Sequence, residues 1–157
     1  MNIPALSKTE INEGLRLAKE SPRHRYAKVL HKPGAEWNEA FNFLLPNSYM
    51  QPHHHPSKEK VEGIYLVEGT LGILFFDEKG TVTQSVILEK GGEEMVQMPA
   101  FTWHTYVVLS RHVITYETMR GVYDPATWKG FAAWAPKENT PESIQYLDSL
   151  KTLAQKN

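Results

Sequence analysis

Cysteine is absent from this 157-residue chain. That excludes disulfides, thiolate nucleophiles, cysteine-bound zinc and iron–sulfur clusters. Long apolar runs are missing as well. Segments such as Ile73-Leu74-Phe75-Phe76 fall far short of the roughly 18 residues a membrane-spanning helix needs. Neither charge dominates: 17 Lys and Arg stand against 18 Asp and Glu, for a net charge of -1. A dedicated nucleic-acid binder or a polybasic membrane protein carries far more positive charge. The first residues show no basic stretch followed by an apolar one, so no secretory signal is read and a cytoplasmic location is expected. With 41% hydrophobic residues, the composition also sets aside collagen-like and disordered classes. Chemistry must therefore come from His, carboxylates, Arg, Tyr or a bound cofactor.

The organisation reads as one domain, residues 1–157, in three parts. Residues 1–22 form an N-terminal helical segment. Ser7-Lys8-Thr9-Glu10 has the spacing of a capping box, Ile11, Leu15 and Ala18 follow at helical intervals, and Pro22 ends the helix. Residues 23–120 read as a β core. Residues 37–44, 63–76, 81–88, 94–98, 102–109 and 112–119 are β-rich. Glu68-Gly69, Asp77–Gly80, Gly91-Gly92, Pro99 and Ser110-Arg111 punctuate them. Many short strands at regular spacing predict an antiparallel sandwich or barrel. Residues 121–157 are irregular and aromatic, then helical from Pro141, with Thr140 as N-cap and Ile144, Leu147 and Leu150 as an apolar face.

The histidines carry the functional signal. Of seven, three are consecutive: His53, His54 and His55. In a strand successive side chains alternate faces, so His53 and His55 share one face and His54 takes the other. Two imidazoles on one face can ligate one metal. An exposed polar run is the competing reading of the triplet by itself.

The surroundings of these residues resemble the two motifs of the cupin superfamily. The first is His-x-His, then Glu, then six residues and Gly, met here by His53, His55, Glu62 and Gly69. The second is Pro-x-Gly-x-x-His, met by Pro99 and His104, with Phe101 in the glycine position. Three His and one Glu from these motifs bind a metal in many cupins. The usual gap between the second His and the Glu is three or four residues, which would favour Glu59. The fixed distance to Gly69 favours Glu62. The segment Pro56–Lys60 is charged and turn-like, whereas Glu62 opens an apolar strand that packing can hold. Glu62 is the expected ligand.

A closer resemblance, covering roughly residues 20–125, is to the WbuC family of cupin-fold metalloproteins, found among bacterial surface-polysaccharide genes. Its carriers are Ser21–Arg25, His31, Ser48–His55, the long gap to Glu62, Gly69, His104 and Glu117–Pro125. The resemblance implies a mainly β, jelly-roll-like antiparallel cupin barrel with a helix at each end. It also implies one divalent metal on His53, His55, Glu62 and His104.

Three imidazoles and a carboxylate suit Zn, Fe, Ni, Mn or Co. Four protein ligands leave up to two positions open on a six-coordinate ion, the mark of a catalytic site. The expected function is a metal-dependent enzyme, an isomerase or epimerase or an oxygenase, on a small polar or anionic metabolite. A sugar or nucleotide-sugar derivative is the class the resemblance suggests. The alternative is a non-enzymatic metal- or sugar-sensing module. Arg23 and Arg25, two apart in an extended segment, read either as an anion clamp or as surface solubility. His31 and Tyr49 are further candidate substrate contacts. Glu117 is a candidate for orienting a ligand histidine, or else for a surface ion pair. The expected partner is a small molecule, with no nucleic acid and no membrane; the cupin likeness allows a homodimer.

Overall fold

In the computed structural model, which describes residues 2–156, Ser7 caps helix α1 (Lys8–Glu20). Its hydroxyl accepts from the Glu10 N–H at 3.2 Å, and the Glu10 carboxylate accepts from the Ser7 N–H at 2.9 Å. The chain then runs β1 (Arg25–Val29), β2 (Trp37–Leu44), β3 (His53–His54), β4 (Glu62–Glu68), β5 (Leu71–Phe76) and β6 (Val82–Leu88). It continues β7 (Met95–Met98), β8 (His104–Val108), β9 (Val113–Arg120), β10 (Gly130–Phe131) and α2 (Pro141–Ala154). Ten strands pair antiparallel in two five-stranded sheets, ordered β1-β2-β9-β4-β7 and β10-β3-β8-β5-β6. Among the described residues no strand ladder joins the two sheets. The jelly-roll-like architecture is an open sandwich, one of the two forms that the strand spacing predicts, rather than the barrel that the family resemblance implies.

Between the sheets lies an apolar cluster that includes Leu44, Ile64 and Leu66 from the first sheet and Leu71, Ile73 and Val108 from the second. The outer face of the first sheet is buried too. Phe41, Phe43, Ile114 and Tyr116 pack there with Ala18 of α1. Gly14 permits that approach, because a Cβ at this position would lie 2.4 Å from the Phe43 ring. The second sheet is covered by α2, whose Leu147, Leu150 and Ala154 pack on Leu74 and Val107.

Three expectations about local structure need correction. Ile144 is 68% exposed and does not share the buried face of α2. At about 100° per residue it lies roughly 90° from the centre of the Ser143, Leu147, Leu150 and Ala154 stripe. Thr140 is the N-cap residue, but its hydroxyl donates to the Lys137 carbonyl instead of capping α2. The aromatic segment after Gly121 is not wholly irregular, since it contributes β10 against β3.

A candidate metal centre

The inner face of the first sheet carries one row from each strand. On β4 the row is Glu62, Ile64 and Leu66, all buried. Alternation at this central strand forces Glu62 inward with the two aliphatic residues. From the second sheet, the short strand β3 brings His53 opposite His104, the first residue of β8. His55 follows just beyond β3. The ligand atoms of His53, His55, Glu62 and His104 lie within 4.8 Å of one another, and all four residues are buried.

Each imidazole is fixed by its own backbone carbonyl. His53 Nδ1 is 3.1 Å from the Gln51 oxygen, His55 Nδ1 2.8 Å from the Trp128 oxygen, and His104 Nδ1 2.8 Å from the Thr102 oxygen. A carbonyl only accepts, so each Nδ1 carries the proton and, in a neutral ring, each Nε2 carries a lone pair. His55 Nε2 and His104 Nε2 stand 3.2 and 3.0 Å from Glu62 Oε2. Burial, and after it the neighbouring His104 ring and the Lys129 ammonium, hold His53 well below the usual imidazole range. Burial by itself would raise the Glu62 carboxyl, but His104 and His55 outweigh it and keep Glu62 an anion. Electron-pair donors this close need a cation between them: a proton between Nε2 and Oε2 in the metal-free chain, or a metal ion in its place. The backbone carbonyls orient the rings as outer partners do around bound metals. The donor set therefore fits a divalent ion.

His54 faces the other way. Its ring packs 4.3 Å from Trp103 and 6.4 Å from Phe101, centre to centre. Phe101 has φ +63°, a left-handed conformation that costs a bulky residue energy and that glycine adopts freely. Its N–H donates to the His55 carbonyl at 3.0 Å. The turn that glycine serves in the cupin motif is thus kept here by a phenylalanine. Glu59 lies in the exposed turn, as its charged surroundings suggest. Lys60, one residue on, is buried, which the charge pattern of that turn does not suggest. Its ammonium donates to the Thr127 carbonyl at 3.1 Å and sits 4.8 Å from the Trp128 ring centre.

A cavity of about 530 Å³ opens onto His53, Glu62 and His104 and is also lined by Tyr106, Glu117 and Lys129. Glu117 stands on β9 beside Ile64. Burial, then the neighbouring Glu62 carboxylate, push its carboxyl up to about 8, so it is protonated at neutral pH. Its oxygen accepts from the Thr115 hydroxyl at 3.1 Å, and no hydrogen bond joins it to a ligand histidine among the described residues. Arg23 and Arg25 line the same cavity but grip a carboxylate of the chain itself. Arg23 holds Glu138 through two bonds of 2.9 and 3.1 Å, and Arg25 reaches the same group at 2.6 Å. They do not converge through plain strand alternation, because His24 between them has φ +54°. Tyr49 lies outside this cavity, and its hydroxyl donates to the Pro136 carbonyl at 2.7 Å. His31 lines an adjoining cavity of about 340 Å³ that shares Glu62, Glu117 and Lys129 with the first, and its Nδ1 accepts from the Glu39 N–H at 3.1 Å.

Sequence reasoning missed Trp128, Lys129 and Phe131, which close one side of the site. Gly130 pairs with His54 and Phe131 with His53. A Cβ at Gly130 would lie 2.5 Å from His54 Nε2, so only glycine lets this segment approach. The one available signal was that glycine among aromatics, which marks a close backbone approach but names no partner.

Residues 6–88 match the family model described as "Domain of unknown function (DUF6016)". The match covers more than half of the chain. The chain belongs to the DUF6016 family. The matched region includes His53, His55 and Glu62 and ends before His104 and Lys129. No curated protein matches the chain in sequence. Among solved structures, protein SO0799 from Shewanella oneidensis is similar over 92% of this chain and 94% of its own, at 10% identity and a TM-score of 0.61. An oxalate oxidase in complex with the substrate analogue glycolate is similar over 86% of this chain and 74% of its own, at 12% identity and TM-score 0.56. The capsular polysaccharide assembling protein CapF from Staphylococcus aureus is similar over 68% of this chain, at 16% identity and TM-score 0.53; the DUF6016 chain spans 32% of its length. Against other similar structures it spans only 51% and 33% of their lengths. Likeness at such identities is one of fold, and the fold is that of the cupins. No helix among the described residues is long and apolar enough to cross a membrane.

Proposed function

We propose that this DUF6016 protein binds one divalent metal through His53, His55, Glu62 and His104 and is a metal-dependent enzyme on a small polar or anionic metabolite. The observation that carries the reading is the fixed tautomer of all three histidines. Three Nδ1–H groups spent on backbone carbonyls leave three Nε2 lone pairs for the ion beside one carboxylate. The adjoining cavity gives a small molecule access to that point. An ion held there supplies Lewis acidity to an oxygen of the bound molecule. The chain's own residues exclude bulk water and orient the molecule: Tyr106 and Thr105 from β8, Phe131 from β10. The resemblance to the WbuC family, and the fold shared with a polysaccharide-assembling protein, support a sugar or nucleotide-sugar derivative as the metabolite. The ion is Zn, Fe, Ni, Mn or Co by donor chemistry.

Elemental analysis of protein purified without a histidine tag tests the metal. One divalent ion per chain, lost in His104→Ala and kept in His54→Ala, is the expected result. A wild-type protein that holds no stoichiometric metal after reconstitution with any of the five ions overturns the reading.

A further inference from the structure

One of the two sequence readings makes Arg23 and Arg25 an anion clamp, but both are engaged by Glu138, and the two guanidinium charges share that single carboxylate. The cation left over in the cavity is Lys129. It lines both the 530 Å³ and the 340 Å³ cavities. Its one hydrogen bond among the described residues is to the Met50 sulfur, at 3.6 Å, a weak acceptor. No carboxylate lies within ion-pair distance of it among the described residues. Its backbone is pinned on both sides: the Trp128 carbonyl accepts from His55, and Gly130 pairs with His54. Glu62 and Glu117 lie near enough to favour its charge but neither pairs with it, so a lysine so fixed, facing the donor cluster, keeps its hydrogen-bonding capacity for a bound group. We propose that Lys129 anchors an oxyanion, a carboxylate or phosphate group, of the molecule that occupies the cavity beside the metal. The assignment rests on the cavity being the ligand site of the proposed metal centre. It moves the anion contact from Arg23 and Arg25 at the start of β1 to the segment before β10. Arg23 and Arg25 then act as a fastening for the segment that carries Glu138.

The probes are sodium acetate and inorganic phosphate, titrated at neutral pH while following tryptophan fluorescence, to which Trp128 next to Lys129 contributes. Wild type, Lys129→Met, Lys129→Gln, Lys129→Arg and Arg23→Gln are compared in zinc-loaded and metal-free forms, with zinc content measured for each. The more tightly bound probe identifies the group as carboxylate or phosphate. Lys129→Met and Lys129→Gln are expected to weaken it tenfold or more, the scale of a lost hydrogen bond to a charged group. Lys129→Arg should stay within about threefold and Arg23→Gln should leave affinity unchanged. Zinc should be retained throughout. Unchanged affinity in both neutral Lys129 variants overturns the proposal. So does a loss that follows Arg23→Gln instead, or zinc loss in the Lys129 variants with anion binding intact. Failure of wild type to hold zinc removes zinc from the candidate ions, and the metal-free titrations still decide for or against Lys129.

Discussion

The two faces of the β1-β2-β9-β4-β7 sheet are both buried but chemically unlike. The outer face sets Phe41 and Phe43 of β2 against Tyr116 and Ile114 of β9 under helix α1. The inner face of the same two strands sets Ala40 against Glu117 and Asn42 against Thr115. One strand therefore builds a hydrocarbon core and a polar cavity wall from alternate residues. The outer face stabilises the sheet by removing apolar surface from water. The inner face spends burial on groups that desolvation penalises, which makes sense only where a ligand or ion compensates. Stability and function are thus divided between Phe41 and Phe43 on one side of β2 and Asn42 on the other, before Leu44 rejoins the apolar cluster between the sheets.

Substitutions can break that division. The largest effect is expected on the inner face: Glu62→Ala should weaken metal binding by more than about 100-fold, beyond the 10–100-fold typical of residues that merely support a ligand, while Glu59→Ala leaves it unchanged. Metal competition with a chromophoric chelator measures both. The wild-type site should also release metal below about pH 6, as imidazoles with an ordinary pKa of about 6.5 take up protons. Metal held to about pH 4 would rule out a three-histidine site.

On the outer face, Phe43→Ala should cost about 3–5 kcal/mol of stability through cavity formation. Chemical denaturation measures it, and metal affinity of the folded fraction should hold. A comparable effect separates the faces by pH. Glu117 keeps its proton in the folded state up to about 8, whereas an unfolded glutamate loses it near 4.5. The folded metal-free protein therefore binds more protons across that window, and its stability falls as pH rises from about 4.5 to about 8. Glu117→Gln should remove this slope, raising Tm at pH 8 more than at pH 5. Equal shifts at both pH values would sink the assignment. The smallest effect is Ser7→Ala, about 1 kcal/mol from the lost cap, with no change at the metal centre.

Local chemistry made much of this legible beforehand. The capping box at Ser7, the turns at Glu68-Gly69 and Asp77–Gly80, and most strands depend on neighbours in sequence, and they stand where those neighbours put them. The alternation of His53, His54 and His55 is local as well, so one row could be read as facing inward. What local chemistry hid lies in residues whose partners are distant. Lys60 looks like a surface charge until Thr127 and Trp128 fold over it. Arg23 and Arg25 look like a free clamp until Glu138, more than a hundred residues on, occupies it.

The sequence by itself determined most of the elements, the alternation that turns Glu62 and two histidines inward, and the donor types that suit a divalent ion. These follow from backbone periodicity and side-chain chemistry, which act over a few residues. Only the tertiary structure decided which cations are spent and which are free. It closed the cavity with Trp128–Phe131, satisfied Arg23 and Arg25 with a carboxylate, and left Lys129 without one. Charge pairing falls off over a few ångströms in space and takes no account of distance along the chain, so no reading of neighbours in sequence can supply it.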